Sequence, residues 1–247
     1  MQLVGKSLAD LKADRPARVF TVGTGISASI QCLEVVENLH KHGYIHRDLK
    51  PANYACGVGE QKKLIYILDF GIARRFLNDN NELKTPRDKV GFKGTVRFAA
   101  LSCHKNAELR PKDDCESWFY LLLDPIVPQG FPGRSVRQER DKLFMTLRCR
   151  EEFRKLLDYI DQLKYHDRID YSFMYQVLRL VSVVNCRPKS PPKPAESTVA
   201  ESPKPESETP QKEPLKPEDE AKKKEEEEQY AYRREHGVTF VQKHKFV

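Results

Sequence analysis

Four short stretches of this chain hold side chains suited to handling a phosphate group. His46-Arg47-Asp48-Leu49-Lys50-Pro51-Ala52-Asn53 sets an aspartate two residues before a lysine and five before an asparagine. Asp69-Phe70-Gly71 follows, sixteen residues after Asn53. Gly94-Thr95 lies further along, and the acidic pair Asp113-Asp114 opens an apolar run. A carboxylate can align a hydroxyl for attack, an ammonium can meet a phosphate oxygen, and oxygen-bearing side chains can share a hard cation. These are the groups that phosphoryl transfer asks of a protein, because that reaction is mostly positioning and neutralisation of charge. Taken singly, each stretch is an exposed loop acid or a surface lysine. Their order and context carry the chemistry.

Elements must hold these stretches in place. Ile30, Leu33, Val36 and Leu39 share a helical face between Ser27 and His42, and Gly43 stands where a C-terminal cap belongs. The β-branched and aromatic run Lys63-Leu-Ile-Tyr-Ile-Leu predicts a strand that delivers Asp69, after which a long basic loop runs to Arg97. Residues 113–123, 151–163 and 171–184 read as helices, the last with Met174, Val177, Leu178 and Val181 on one face. The fold class expected is α+β, mainly helical.

The ordered set of an HRD-type loop, Asp-Phe-Gly and Gly-Thr resembles the catalytic half of a protein kinase. The opening Met-Gln-Leu-Val-Gly-Lys-Ser-Leu-Ala-Asp-Leu, Gly94-Thr95-Val96-Arg97-Phe98-Ala99 and Asp113-Asp114-Cys115-Glu116-Ser117 are similar to the casein kinase 1 group. Lys50-Pro51-Ala52-Asn53-Tyr54-Ala55, Pro86-Arg87 and Gly91-Phe92-Lys93-Gly94-Thr95 look most like its tau-tubulin kinase branch. Ala100-Leu101-Ser102 stands where that group has a Ser-Ile-Asn-like sequence, so the asparagine expected at Ser102 is missing.

The resemblance covers Met1 to about Val184 and implies the following roles. Asp48 aligns the substrate hydroxyl, Lys50 meets the γ-phosphate, and Thr95 bridges the two. Asn53 and Asp69 hold magnesium, and Ala55 and Leu68 form, with Asp69, the floor of the ATP site. His46, Arg47, Phe70 and Gly71 support the site, and Asp114 pins the His46-Arg47 backbone from below.

The resemblance also implies parts that are not found in these residues. A kinase needs a glycine-rich loop over the phosphates, a lysine on the third strand and a partnering glutamate. The chain is therefore expected to be a kinase C-lobe without its N-terminal β-lobe, inactive by itself, with ATP and magnesium binding weakened or lost. Gly23-Thr24-Gly25-Ile26-Ser27-Ala28 matches a dinucleotide fingerprint, but Asp48 is already part of the catalytic loop and no second βαβ unit follows. Gly23 and Gly25 read instead as a loop leading into the helix at Ser27. Phe131-Pro132-Gly133-Arg134 replaces the Leu-Pro-Trp turn of related kinases, and the helical insert after it is shorter, which alters the substrate side.

Two functions of different class follow. One is a Ser/Thr protein kinase whose β-lobe lies outside these residues. The other is a non-catalytic C-lobe serving as a substrate- or partner-binding module, with an exposed apolar cleft floor around Ala55 and Leu68. In either, the basic run Arg74, Arg75, Lys84, Arg87, Lys89, Lys93 and Arg97 suits acidic or prephosphorylated protein targets, or is a solvated loop.

Composition sets the outer limits. The 247 residues carry a formal net charge of +7, and all of the surplus lies before Arg187, where 30 Lys and Arg face 23 Asp and Glu. Nine of the 16 prolines fall between Pro188 and Pro217. Residues 1–186 therefore read as one basic domain and residues 187–229 as a disordered tail, which cannot bury enough surface to offset its backbone entropy. Lys222 to Glu228 can pair opposite charges one helical turn apart. Residues 230–247 regain aromatics and valines and form a short segment able to dock. Ser190-Pro191, Ser202-Pro203 and Thr209-Pro210 are proline-directed phosphorylation candidates.

No apolar run reaches the roughly 18 residues of a membrane span. No basic stripe interleaved with aromatics marks a nucleic-acid surface. The N-terminus lacks the pattern of an export signal, and the six scattered cysteines read as reduced thiols, so the compartment expected is cytoplasmic, nuclear or both.

Overall fold

The computed structural model describes residues 3–15, 17–127, 144, 147 and 149–186, with side chains up to residue 181. The tail 187–229, the segment 230–247 and the Phe131 turn, together with the expectations placed on them, lie outside these residues.

Helix α1 (Leu8–Ala13) begins at a reciprocal cap, in which the Ser7 hydroxyl accepts the Asp10 N–H and the Asp10 carboxylate accepts the Ser7 N–H, both at 3.1 Å. Helix α2 (Val22–Lys41) begins at Thr21, whose hydroxyl accepts the Thr24 N–H at 3.2 Å. It ends at His42, with Gly43 at φ +82° turning the chain. The start differs from the expectation at Ser27: Gly23 and Gly25 lie inside the helix, not in a loop before it. Their low helix propensity hides the helix in the sequence. Packing explains Gly25, because a Cβ there would stand 2.2 Å from Ile126 Cγ2.

Strand β1 (Tyr44–Ile45) leads into the His46–Asn53 loop, which closes in a 3-10 turn at Pro51–Asn53. Strand β2 (Tyr54–Cys56) pairs antiparallel with β3 (Ile65–Ile67) in the register Tyr54 to Ile67, Ala55 to Tyr66 and Cys56 to Ile65. Ser7 adds a bridge to Ala55 on the outer side of β2. Strand β4 (Arg74–Arg75) returns to pair with β1, and the basic loop expected to be irregular is therefore anchored at its start.

Helices α3 (Leu101–His104), α4 (Pro111–Leu123), α5 (Arg150–Gln162) and α6 (Tyr171–Cys186) follow. The last three lie within a few residues of the helices read from periodicity.

Helix α4 is the centre of the packing. It is buried from Asp113 to Leu123 and packs against α2 and α5, while α6 packs in turn against α2 and α5. Trp118 is fully buried and donates its indole N–H to the Ser29 carbonyl of α2 at 2.8 Å. Ile26, Leu33 and Val36 of α2 and Leu178 and Val181 of α6 are fully buried as well. Each such side chain contributes roughly 1.5–3 kcal/mol relative to exposure. A smaller cluster of Ile45, Ala99, Cys103 and Leu109, flanked by Phe76 and Phe92, holds the far side of the basic loop.

Among the described residues, Cys32, Cys56, Cys103, Cys115 and Cys149 are free thiols, and no helix is long and apolar enough to cross a membrane.

Candidate active site

The catalytic-loop side chains meet at Asp48. Its Oδ1 accepts the Thr95 hydroxyl at 2.7 Å and its Oδ2 accepts the Lys50 ammonium at 2.7 Å. Lys50 also donates to Thr95 Oγ1 at 3.0 Å, which closes a three-membered ring across 47 residues of sequence. Asn53 donates its amide to the Asp48 carbonyl at 2.9 Å and to Oδ2 at 3.3 Å. Burial pushes the Asp48 carboxyl up, but the bonds from Lys50 and Thr95, with the Lys50 charge, hold it below its ordinary value. Asp48 therefore stands ionised as an acceptor.

Beneath the loop, Asp114 fixes the backbone. Its Oδ2 accepts the His46 N–H at 2.6 Å and its Oδ1 accepts the Arg47 N–H at 2.9 Å. Both residues precede Asp48 directly, and Arg47 sits at φ +72°, a conformation its neighbours must hold. Burial raises the Asp114 carboxyl, yet the hydrogen bond from His40, the electrostatic pull of the His40 and His46 rings and the His46 N–H together keep it below its ordinary value. His46 Nδ1 accepts the Asp48 N–H at 3.2 Å, so the ring proton is on Nε2, which donates to the Leu68 carbonyl at 3.0 Å. The His46 ring meets the Phe70 ring edge-on, with centroids 5.3 Å apart. Arg47 Nε donates to the Ile72 carbonyl at 2.6 Å. The Asp48 loop and the Asp69 segment are thus tied to each other through one histidine and one arginine.

Asp69 is exposed and sits at φ +61°, with Oδ1 accepting the Gly71 N–H at 3.2 Å. Asn53, with its amide nitrogen engaged on Asp48, has its carbonyl oxygen left as a ligand atom. Asn53 and Asp69 thus offer hard oxygen donors of the kind that suit a magnesium ion bound with nucleotide phosphates. The floor of the nucleotide site differs from the expectation. Ala55 is only 1% exposed, because Ser7 pairs across its outer edge, and Leu68 is half-buried. The Ala55 side chain is therefore covered rather than open.

Two cavities flank the loop. One, of about 260 Å³, is lined by Arg47, Arg74, Arg87, Lys89 and Lys93, with Glu108 as its acid. Glu108 is paired with Arg87 Nη2 at 3.2 Å and with Arg74 Nε at 3.3 Å. Burial, and then the charge of Arg74, lower the Arg47 guanidinium from its ordinary value. Of the basic run read from sequence, Arg74, Arg87, Lys89 and Lys93 converge here. Arg75 instead pairs with Asp79 at 2.8 Å, and Arg97 lies elsewhere.

The second cavity, about 550 Å³, opens beside Lys50 between α1 and the end of α4. Its acid is Asp124, buried at 3% exposure, whose Oδ2 takes the Lys12 ammonium at 2.6 Å and whose Oδ1 takes Arg97 Nη2 at 2.9 Å.

Residues 3–117 match the family described as protein kinase domain. These residues are similar to a protein kinase domain. The chain is similar to the serine/threonine-protein kinase spe-6 of Caenorhabditis elegans, with 33% identity over 193 residues, 72% of this chain and 51% of the relative. A second C. elegans serine/threonine-protein kinase, ZK507.1, is 30% identical over 186 residues, 72% of this chain and 56% of its own length. A serine/threonine-protein kinase of Dictyostelium discoideum is 30% identical over 188 residues, covering 38% of that protein. The chain thus spans about half the length of the curated relatives it matches.

Sequence motifs missed several residues that shape this site. Lys12, His40, Glu108, Arg110, Asp124 and Tyr171 all form buried or half-buried polar contacts here. Arg110 is 2% exposed, donates to the Phe76 and Lys84 carbonyls at 2.9 and 2.6 Å, and lies 4.0 Å over the Tyr165 ring. The signal that could have found Asp124 and Arg110 is a charged residue abutting an apolar helix run at each of its ends. His40 carries such a signal as well, since it falls on the apolar face of α2.

Proposed function

We propose that this chain supplies the catalytic-loop half of a Ser/Thr protein kinase site, transferring phosphate from ATP to a protein hydroxyl, and that it belongs to the tau-tubulin kinase branch of the casein kinase 1 group. The observation that carries the reading is the closed ring of Asp48, Lys50 and Thr95. In it, Asp48 is an ionised acceptor held in place from both sides, able to take a hydrogen bond from an incoming hydroxyl. Lys50 lies 2.7 Å from that acid and is the cation beside which a transferring phosphoryl group gathers charge. Thr95 holds the two in register. Asn53 and Asp69 would hold magnesium between the nucleotide phosphates, and the nucleotide supplies the group to be transferred.

The 247 residues alone do not turn over in this reading. The motifs that cover and anchor the phosphates are not among them, and positioning of that kind supplies about 7–11 kcal/mol of a barrier. The chain incubated with labelled ATP, magnesium and an acidic protein is expected to give no transfer above an Asp48→Asn control. Fused behind the glycine-loop lobe of a related kinase, it is expected to transfer phosphate, and Asp48→Asn is expected to remove that activity. Transfer by the fusion that is indifferent to Asp48 would overturn the assignment.

A specific observation favours binding of acidic or phosphorylated protein segments independently of transfer. The cavity lined by Arg47, Arg74, Arg87, Lys89 and Lys93 holds one acid against five cations. The groove beside Lys50 adds to this, because both oxygens of Asp124 are already engaged by Lys12 and Arg97. A basic side chain entering either cavity meets cations, whereas a carboxylate or phosphate meets donors. Phosphorylated and unphosphorylated copies of one acidic peptide, titrated in fluorescence anisotropy, check this. The phosphorylated copy is expected to bind more tightly, with the difference lost in Arg74→Ala/Lys89→Ala.

A further inference from the structure

Helices α2 and α6 are joined by two tyrosine hydroxyls. Tyr175 donates to Glu37 Oε2 at 2.7 Å, and one turn earlier Tyr171 meets His40 Nδ1. The two bonds look equivalent on the helix pair, yet they end differently. Glu37 also accepts the Lys41 ammonium at 2.7 Å, at the edge of the protein, where Lys41 is exposed. His40 passes its bond inward: Nε2 stands 3.0 Å from Asp114 Oδ2, the same oxygen that accepts the His46 N–H at 2.6 Å.

The protons in this chain of contacts are fixed by chemistry. The Asp114 carboxylate only accepts, so His40 Nε2 donates to it. In the neutral imidazole Nδ1 then accepts, and the donor is the Tyr171 hydroxyl. Burial raises the Tyr171 phenol well above its ordinary value, so it keeps its proton. A run of donors and acceptors therefore leads from Tyr171 on α6 through His40 on α2 and Asp114 on α4 to the amides of His46 and Arg47.

We propose that Tyr171 is a positioning residue for the catalytic loop, acting through the His40 imidazole and the Asp114 carboxylate. The proposal rests on the reading of Asp48 as the acid of that loop, but the contacts themselves do not. With Tyr171 in place, the His40 ring is held in one orientation by a contact at each nitrogen, and its Nε2–H shares Asp114 Oδ2 with the His46 amide. Without the hydroxyl the ring loses its second anchor. The ionisable groups around that ring are Asp114 and Cys115 on α4, Tyr171 on α6, Glu37 on its own helix and His46 on the loop, with the Phe76 ring edge-on at 6.3 Å.

The test uses the 247-residue chain and needs no turnover, so it stands or falls separately from the kinase assay. Amide hydrogen exchange and the imidazole nitrogen spectrum are measured by NMR for the wild type, Tyr171→Phe and Tyr175→Phe. Tyr171→Phe is expected to speed exchange at the His46 and Arg47 amides by about tenfold, relative to core amides such as that of Leu121. Tyr175→Phe removes a comparable bond from the same pair of helices and is expected to leave both amides unchanged. In a His40→Gln background, Tyr171→Phe is expected to add nothing at the two amides, because the link is already cut. Equal effects of the two tyrosine variants at His46 and Arg47, or none from Tyr171→Phe, would overturn the proposal. Should Tyr171→Phe not fold, the His40 ring spectrum of the wild type decides: an Nδ1–H tautomer is incompatible with the chain of donors.

Discussion

Gly94 and the Arg47 carbonyl oxygen are so close that a Cβ added to the glycine would stand 2.5 Å from that oxygen. Gly94 also sits at φ +104°, a region that side chains disfavour. The glycine next to Thr95 thus lets the activation segment lie directly against the catalytic loop, which is what allows the Thr95 hydroxyl to reach Asp48. Gly94→Ala is expected to cost at least about 2 kcal/mol, the sum of a strained backbone and a displaced loop. Urea unfolding checks the stability. Loss of the Thr95 hydroxyl proton's protection from exchange checks the displacement.

The Asp48 carboxyl gives a prediction in pH. Its folded value lies below the ordinary 3.8, so the stability it lends is present above that value and is lost as pH falls through the lowered one. Thr95→Val deletes one of the two side-chain donors that lower it. Asp48 is then expected to titrate at higher pH than in the wild type, and the acid loss of stability to begin correspondingly earlier. Carboxyl carbon NMR of Asp48 in the two proteins measures this. An unchanged or lower value in Thr95→Val would contradict the geometry.

Tyr54 offers a substitution expected to help. Its ring is fully buried in β2, and its hydroxyl is buried with no hydrogen-bond partner among the described residues. A buried donor left unpaired costs about 1–3 kcal/mol, whereas removing it costs little. Tyr54→Phe is expected to be neutral or to stabilise by about 1 kcal/mol, read as a rise in Tm. Asp114→Ala, which strands the His46 and Arg47 amides, is expected to destabilise by roughly 3 kcal/mol or more.

Gly25 and Ile126 form a steric pair. Gly25→Ala places a methyl group 2.2 Å from Ile126 Cγ2, and overpacking of this kind costs about 1–3 kcal/mol despite the gain in helix propensity. Ile126→Ala opens the space and carries its own cavity cost. The double variant is expected to be more stable than the sum of the two single effects by about 1 kcal/mol or more. Thermal melts of the four proteins complete the cycle.

The residues legible in the sequence are those whose contacts follow the chain closely. Asp48, Lys50 and Asn53 lie within six residues, and their local order speaks for their chemistry. Thr95, Asp69 and Asp114 were found only because they recur in a fixed order with that loop. The helices over 113–123, 151–163 and 171–184 were visible because a buried face repeats every turn. Contacts without a period left no trace. Lys12 meets Asp124 across 112 residues, and His40 meets Tyr171 across 131. Gly25 misled for the opposite reason: its local preference argues against a helix, and the packing of Ile126 against α2 overrides it. Ala55 carries a small apolar side chain suited to a cleft floor, but only the Ser7 bridge, which no local pattern announces, decides that it is covered.

The ties that hold the site end mostly on main chain. His46 grips the Leu68 carbonyl, Arg47 the Ile72 carbonyl, Arg110 the Phe76 and Lys84 carbonyls, and Asp114 the amides of His46 and Arg47. A carbonyl is the same group whatever residue bears it. Positions 72 and 84 can therefore change side chain over evolutionary time without loosening the clamp, while His46, Arg47, Arg110 and Asp114 cannot. Such a framework separates heritable variation into two classes, a few fixed gripping residues and many interchangeable gripped ones. Drift in the loop can then retune what the surface recognises while the path of the chain stays as it is.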